Sequence, residues 1–246
     1  RYCWSGKAME ILLKVDQISK HFGGFTALNG VSLALKKGER LGLIGPNGSG
    51  KTTLINCISG ALLNESGQIT FRGQSIARMP AYQRTRLGIA RSFQIPRPFR
   101  SMTVLENLLV PLSYVGGVTG KEANQRAEDI LTGMGLAAKM HQGCSQLSQV
   151  ELRKMELARA MAADPQLLIS DEAMAGLAGT EIDEVLAILH ALNQRGITII
   201  MIEHIMQAVM SFSQRVVCLD AGQIICEGTP SEVVADPYVQ RAYLGD

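Results

Sequence analysis

No apolar run in this chain reaches the roughly 18–20 residues that a bilayer span needs. The nearest stretches are ITIIMI (197–202) and VLENLLVPLSYVGGV (104–118). The first is strand-sized, and Glu106, Pro111 and two glycines break the second. Any membrane role is therefore expected to be peripheral or through a partner. Charge of one sign is also missing. The net charge is +2, which gives no electrostatic reason to expect a nucleic-acid partner. The five cysteines are scattered, with no CxxC and no zinc spacing, so buried free thiols in a reducing cytosol are expected. The start, RYCWSGKAM, has no apolar h-region and is not a signal peptide. Met9 is a candidate natural start, with residues 1–8 an expression remnant. No internal repeat and no low-complexity linker interrupts the chain. What remains is 246 residues, 46% hydrophobic and 19% charged, enough for one large globular domain or one with a small insert.

The most informative stretch is LGLIGPNGSGKTTLINCISG (41–60). Leu41 to Ile44 reads as a buried strand. Gly45-x-x-x-x-Gly50-Lys51-Thr52 follows, and then a helix to about Ser59 with Gly60 as its C-cap. Glycines let successive N–H groups curl around phosphate oxygens, and the helix start adds positive potential. Lys51 is placed to reach the β- and γ-phosphates, and the Thr52 hydroxyl can ligate Mg²⁺. Gly45, Pro46, Asn47, Gly48, Ser49, Gly50, Lys51, Thr52 and Thr53 are the candidates for binding a nucleoside triphosphate. A plain Gly-rich turn would require neither the lysine nor the strand–helix context.

DPQLLISDEAMAGL (164–177) supplies acids. Gln166 to Ser170 reads as a short buried strand, so Asp171 and Glu172 sit where open α/β sheets place ligands. Asp171 suits a Mg²⁺ shell, and Glu172 suits orienting or deprotonating water. A helix over 181–195, ended by Gly196, leads to the strand ITIIMIEH (197–204), with His204 at its end. A lone histidine is more often structural, but this one falls at the same sheet edge as Glu172. Gln94 stands where another strand gives way to a two-proline loop, and on its own would read as a solvated glutamine.

SQLSQVELRKMELARA (145–160) looks like a second helix start aimed at phosphate. Ser148-x-x-Glu151 is also a capping-box pattern, which would occupy the N–H groups a phosphate needs.

These pieces, in this order, resemble the ATP-binding cassette (ABC) ATPases from about Met9 to the end. The resemblance implies ATP and Mg²⁺ as ligands, with GPNGSGKTT as Walker A and LLISDE as Walker B. It implies that Gln94 is a lid glutamine touching Mg²⁺, that His204 is the switch histidine, and that Phe22 stacks on adenine. An N-terminal core phenylalanine is the plainer alternative for Phe22. RSFQIPRPFRSMTVLENLLV, MIEHIMQAVM and the tail EGTPSEVVADPYVQRAYLGD look closest to the ATPase subunits of branched-chain amino acid importers. Those work at the cytoplasmic face of the bacterial inner membrane, as dimers sandwiching ATP, docked under permease subunits fed by a periplasmic binding protein.

By the same resemblance, Ser148 opens a signature motif, Leu-Ser-x-Gly-Gln, that faces the partner's γ-phosphate. Here Val150 stands for the glycine and Glu151 for the glutamine. Valine takes positive φ at high cost and crowds a backbone meant to approach phosphate. Glu151 adds a charge whose repulsion is worth a few kcal/mol near 4 Å at an effective dielectric of about 20. Ala173 replaces the usual proline, and Ala178-Gly179 the usual Asn-Pro or Asp, in a segment that normally crosses the dimer interface. A weakened signature suits heterodimeric use. The competing reading is a module that clamps ATP and barely splits it. A ribosome- or nucleic-acid-acting cassette is disfavoured by the charge, and a kinase leaves LSQVE and His204 without a role.

The expected architecture is α/β: a P-loop NTPase core of mixed sheet flanked by helices, with an antiparallel edge. Short strands are expected at 11–15, 31–35 and 68–72, a helical subdomain over about 95–162, and a hairpin of RVVCLD with QIICEG (215–220, 223–228). All of it is read as one domain, 9–246.

Overall fold

The computed structural model describes residues 10–93 and 96–244. The chain opens with a long hairpin, β1 (Ile11–Phe22) and β2 (Phe25–Lys36), turning at Gly23-Gly24. Sequence reading gave only the ends of these strands. The tip, SKHFGGFTALNG, lacks clean alternation because the ladder carries register shifts between Val15 and His21. A Gly-Gly dipeptide between aromatics is nonetheless a hairpin signal, and Phe22 pairs with Phe25 across it.

β3 (Arg40–Ile44) runs into the phosphate loop, and α1 (Lys51–Ser59) leaves it. β4 (Ser66–Phe71) and β5 (Gln74–Ser75) complete a four-stranded antiparallel sheet, β2-β1-β4-β5. α2 (Ala81–Arg86) follows, then β6 (Ile89–Ser92). α2 carries Arg84, which is fully buried. Its guanidinium donates to the carbonyls of Cys57 (2.6 Å) and Ile58 (2.9 Å), tying off the C-terminus of α1.

A helical region comes next: α3 (Val104–Tyr114), α4 (Gly120–Gly133) and α5 (Gln149–Met161). The chain then returns to alternation with β7 (Leu167–Asp171), α6 (Gly179–Gln194), β8 (Thr198–Ile202), α7 (Met206–Phe212), β9 (Arg215–Asp220) and β10 (Gln223–Gly228). α8 (Pro230–Ala235) and α9 (Pro237–Leu244) form the tail.

The second sheet has the order β10-β9-β3-β8-β7-β6, parallel except for the β9–β10 hairpin. β7 and β8 are buried throughout, as strands covered on both faces must be. One core fills the space between the two sheets and α1, and another lies between the large sheet and the helical region. A small third cluster joins Ile44, Val209 and Val216 to Val233 and Val239 of the tail. Among the described residues, no helix is long and apolar enough to cross a membrane. Cys57, Cys144 and Cys218 are buried free thiols, and Cys226 is a half-buried one.

Candidate nucleotide site

Register brings the candidate side chains to one sheet edge. Leu43 of β3 pairs with Ile202 of β8, Asp171 of β7 pairs with the same Ile202, and Ser92 of β6 pairs with Ser170. The phosphate loop, the Asp171–Glu172 pair and the Glu203–His204 pair therefore emerge together at the carboxyl ends of parallel strands. Gln94 follows β6 but lies outside the described residues. Thr52, Arg91, Asp171 and Glu172 line one cavity of about 640 Å³ that extends to Pro111 of α3 and to Val115 just past its end.

The loop is shaped for an anion. Gly50 has φ 106°, and a Cβ there would stand 2.6 Å from the Ala27 carbonyl oxygen of β2. Only glycine fits that approach. The N-cap, Gly50, has no side chain to cap α1, and among the described residues no other side chain accepts from its first N–H groups, which stay open. The Ser49 hydroxyl is buried and has no hydrogen-bond partner among the described residues. Lys51, 7% exposed, donates from Nζ to the carbonyls of Gly45 (2.7 Å) and Pro46 (2.9 Å). Burial holds its pKa below the ordinary lysine value, so its ammonium lacks a strong counter-ion and suits a phosphate. An uncapped helix start, an orphan hydroxyl and an under-compensated ammonium together fit a triphosphate.

The carboxylate edge is wired in detail. Asp171 Oδ2 accepts from Arg91 Nη2 at 2.5 Å, and Arg91 Nη1 donates to Asn56 Oδ1 of α1 at 2.6 Å. Sequence reading missed Arg91. Its signal was position alone, three residues before Gln94 on a strand bound for the same edge. Glu172 adopts φ 48°, an uncommon left-handed backbone for a non-glycine residue. That turn swings its carboxylate to within 3.1 Å of His204 Nε2. Phe22 sits elsewhere, at the β1–β2 tip, 48% exposed, with Lys20 Nζ 5.4 Å from its ring centre. It is not a core residue. The opposite strand of that hairpin meets Gly50 through Ala27.

Glu203 also escaped sequence reading. It is buried, and accepts from the Met174 N–H at 2.9 Å. Burial, seconded by the nearby Glu172 carboxylate, pushes its pKa up to about 7. The folded protein thus holds this proton more tightly than the unfolded chain. The stability it confers is full below the ordinary carboxylate range and falls as pH rises through about 7, by on the order of 3 kcal/mol in all. Urea unfolding of Glu203→Gln, compared with wild type between pH 5 and 8, should therefore show a flatter stability profile. Parallel profiles would rule this out.

The second helix start differs from the first. The Ser148 hydroxyl accepts from the Glu151 N–H (3.4 Å), and Glu151 Oε2 accepts from the Ser148 N–H (2.8 Å). The expected capping box is there. The backbone at Val150 and the surroundings of Glu151 both differ from expectation. Val150 lies inside α5 with helical backbone, so no left-handed conformation is demanded of it. Its effect is confined to the bulk of its side chain. Glu151 is also not a bare charge. Lys139 Nζ lies 2.7 Å from Oε1, and this contact is the chief reason its carboxyl is held below the usual range. The repulsion expected from sequence is therefore largely offset. α5 also reaches the loop after Glu172, where Arg153 Nη2 donates to the Ala175 carbonyl at 2.9 Å.

A phosphate loop between β3 and α1, with acids at the end of a parallel strand beside it, defines a P-loop nucleotide-binding fold. The chain belongs to the ABC transporter family, whose profile matches residues 28–175, and it is an ATPase of that family. A second profile, described as branched-chain amino acid ATP-binding cassette transporter, matches residues 223–246. The chain is 39% identical over 252 residues to the high-affinity branched-chain amino acid transport ATP-binding protein LivG of Salmonella typhimurium, covering 96% of this chain and 98% of that one. It is 34% identical to BraF of Pseudomonas aeruginosa, of the same description, with the same coverage. Among solved structures, the ADP conformation of MJ1267, an ATP-binding cassette of an ABC transporter, superposes with TM-score 0.89 at 33% identity, covering 96% of this chain and all of that one.

Proposed function

We propose that this chain is the ATP-hydrolysing subunit of an importer for branched-chain or similar amino acids, peripheral to the cytoplasmic face of a bacterial inner membrane. The observation that carries this reading is the open start of α1, with Lys51 under it and Asp171, Glu172 and His204 converging beside it. The amino-acid part is supported by the match of the tail and by the names of the relatives.

In this reading the N–H groups of residues 48–53 and the Lys51 ammonium hold the phosphates, and Phe22 stacks on the base. Thr52 and Asp171, with Gln94, supply oxygen ligands to Mg²⁺. That donor set is hard and incomplete, which suits an ion that keeps waters and takes phosphate oxygens. Bound there, Mg²⁺ supplies charge neutralisation. Glu172 aims water at the γ-phosphate, and His204 orients Glu172 and contacts the same phosphate. Two cassettes sandwich ATP, an arrangement supported by the dimeric, ADP- and Pi-bound relative MJ0796, at TM-score 0.80 and 25% identity. Ser148 of one cassette then meets the nucleotide of the other. The groove toward Pro111 and Val115, between the sheet and the helical region of about 95–162, would seat a permease segment. A periplasmic solute-binding protein would act one step further out.

The capped α5 favours a second feature, an asymmetric pair. This chain's own phosphate loop relies on its partner's signature, whereas the partner's nucleotide faces Val150 and the closed Ser148–Glu151 box. A heterodimer keeps one ordinary site, and a homodimer weakens both. Val150→Gly with Glu151→Gln is expected to raise homodimer turnover roughly fivefold, equivalent to about 1 kcal/mol. Steady-state phosphate release measures it. Unchanged turnover, or wild-type homodimer turnover already equal to that of an ordinary cassette, would remove the asymmetry.

A further inference from the structure

Gly45 is the hinge at which the chain leaves β3 for the phosphate loop. Ile44 makes the last ladder pair of that strand, with Cys218 of β9. Beyond it, the buried Gly45 N–H points away from the sheet ladder and needs an acceptor. The acceptor comes from 198 residues away: Tyr243 of α9 takes this N–H on its hydroxyl oxygen at 2.7 Å. On its other side, the Gly45 carbonyl accepts from Lys51 Nζ at 2.7 Å. The peptide units flanking one residue thus link the tail to the lysine of the loop.

The contact is built rather than incidental. Val233 and Val239, at 0% and 4% exposure, pack the tail into the same small cluster as Ile44, the residue before the hinge. The Thr229–Glu232 capping box fixes where α8 begins. No larger residue fits at Gly45, because a Cβ there would collide with the Leu219 carbonyl. Tyr243 keeps an exposed edge, but partial burial raises its pKa, so the phenol stays neutral through the physiological range.

We propose that Tyr243 is a positioning residue for nucleotide binding, holding the hinge of the phosphate loop so that the loop keeps its shape when Lys51 leaves the Gly45 carbonyl for phosphate. This rests on the ATPase reading above. The tail matched by the branched-chain profile is then part of the nucleotide site rather than an appendage. Substrate affinity depends on the hinge, whereas the water-aiming groups, Glu172 and His204, are held by each other just past the ends of β7 and β8.

The test is Tyr243→Phe in the full chain, with Tyr238→Phe on the same helix, 65% exposed against 39% for Tyr243, as control. Mg-ADP affinity by calorimetry should fall roughly three- to tenfold in the first variant, the worth of one hydrogen bond, and stay level in the second. KM for ATP should rise in step while kcat at saturation holds. Hydrogen exchange on the wild type gives an independent reading, with the Gly45 amide protected and the Gly48 amide open before nucleotide is added. Equal ADP affinity in Tyr243→Phe and wild type overturns the proposal, as does a Gly45 amide exchanging as fast as that of Gly48. Wild type that binds no ADP at all would instead count against the ATPase reading.

Discussion

Glu172→Gln is expected to bind Mg-ATP at least as tightly as wild type and to hydrolyse it about 100- to 10,000-fold more slowly, the range of a lost general base. The substitution is close to isosteric. The amide keeps an acceptor oxygen and donors for His204, which lies 3.1 Å away, and the left-handed turn at residue 172 is unchanged. Basicity and one negative charge are lost. Losing the charge favours a triphosphate, because the other acids at this edge are already muted: Asp171 is paired to Arg91, and burial drives Glu203 toward its neutral form. Binding and turnover should therefore move in opposite directions. Single-turnover phosphate release with a parallel nucleotide-binding assay checks this. Turnover within a factor of three of wild type would mean that Glu172 does not act on water. A wild type equally slow would favour the ATP-clamping reading.

The sequence revealed elements whose signal is local and periodic. The hairpin at 215–228, the helix from Lys51 to Ser59 and the Ser148–Glu151 box all follow from spacing within one segment. What stayed hidden depends on distance along the chain. Arg84 reads as a surface arginine on a short helix until the fold brings the end of α1 over it. Glu151 looks like a bare charge until Lys139, twelve residues earlier, reaches it. Tyr243 looks like a tail aromatic until the β3 edge passes beneath it. The error over Val150 has a different origin. It carried a glycine's conformational freedom over to a position where the helix supplies the backbone, and only the bulk of the side chain differs there.

The two helix starts give one chain two roles. α1 opens on glycine and leaves its N–H groups to a ligand, whereas α5 opens on serine, whose N–H is taken by Glu151 and whose hydroxyl takes the Glu151 N–H. A capping box and a bound phosphate compete for the same donors, so the same physics makes one end a binding site and the other a stable helix. In the asymmetric pair proposed above, this difference would leave the two nucleotide sites unequal.

Lys51→Ala should remove Mg-ATP binding rather than slow its use. Lys51 is 7% exposed, and its ammonium rests on two carbonyls of its own loop, at 2.7 and 2.9 Å. Neutral carbonyls compensate a buried cation poorly, which is why its pKa lies below the ordinary value. Phosphate oxygens offer more, so moving to them is favourable. Charge-assisted hydrogen bonds of this kind contribute about 1.5–3 kcal/mol each, so losing one or two weakens affinity by roughly 10-fold to well beyond 100-fold. Folding should suffer little, because alanine also removes a desolvated charge. Calorimetric titration with Mg-ATP and a urea midpoint would test both halves. A dissociation constant within twofold of wild type would show that the loop holds its anion through backbone alone. With Glu172→Gln beside it, the pair separates grip from chemistry: one variant should lose the nucleotide, and the other should keep it uncut.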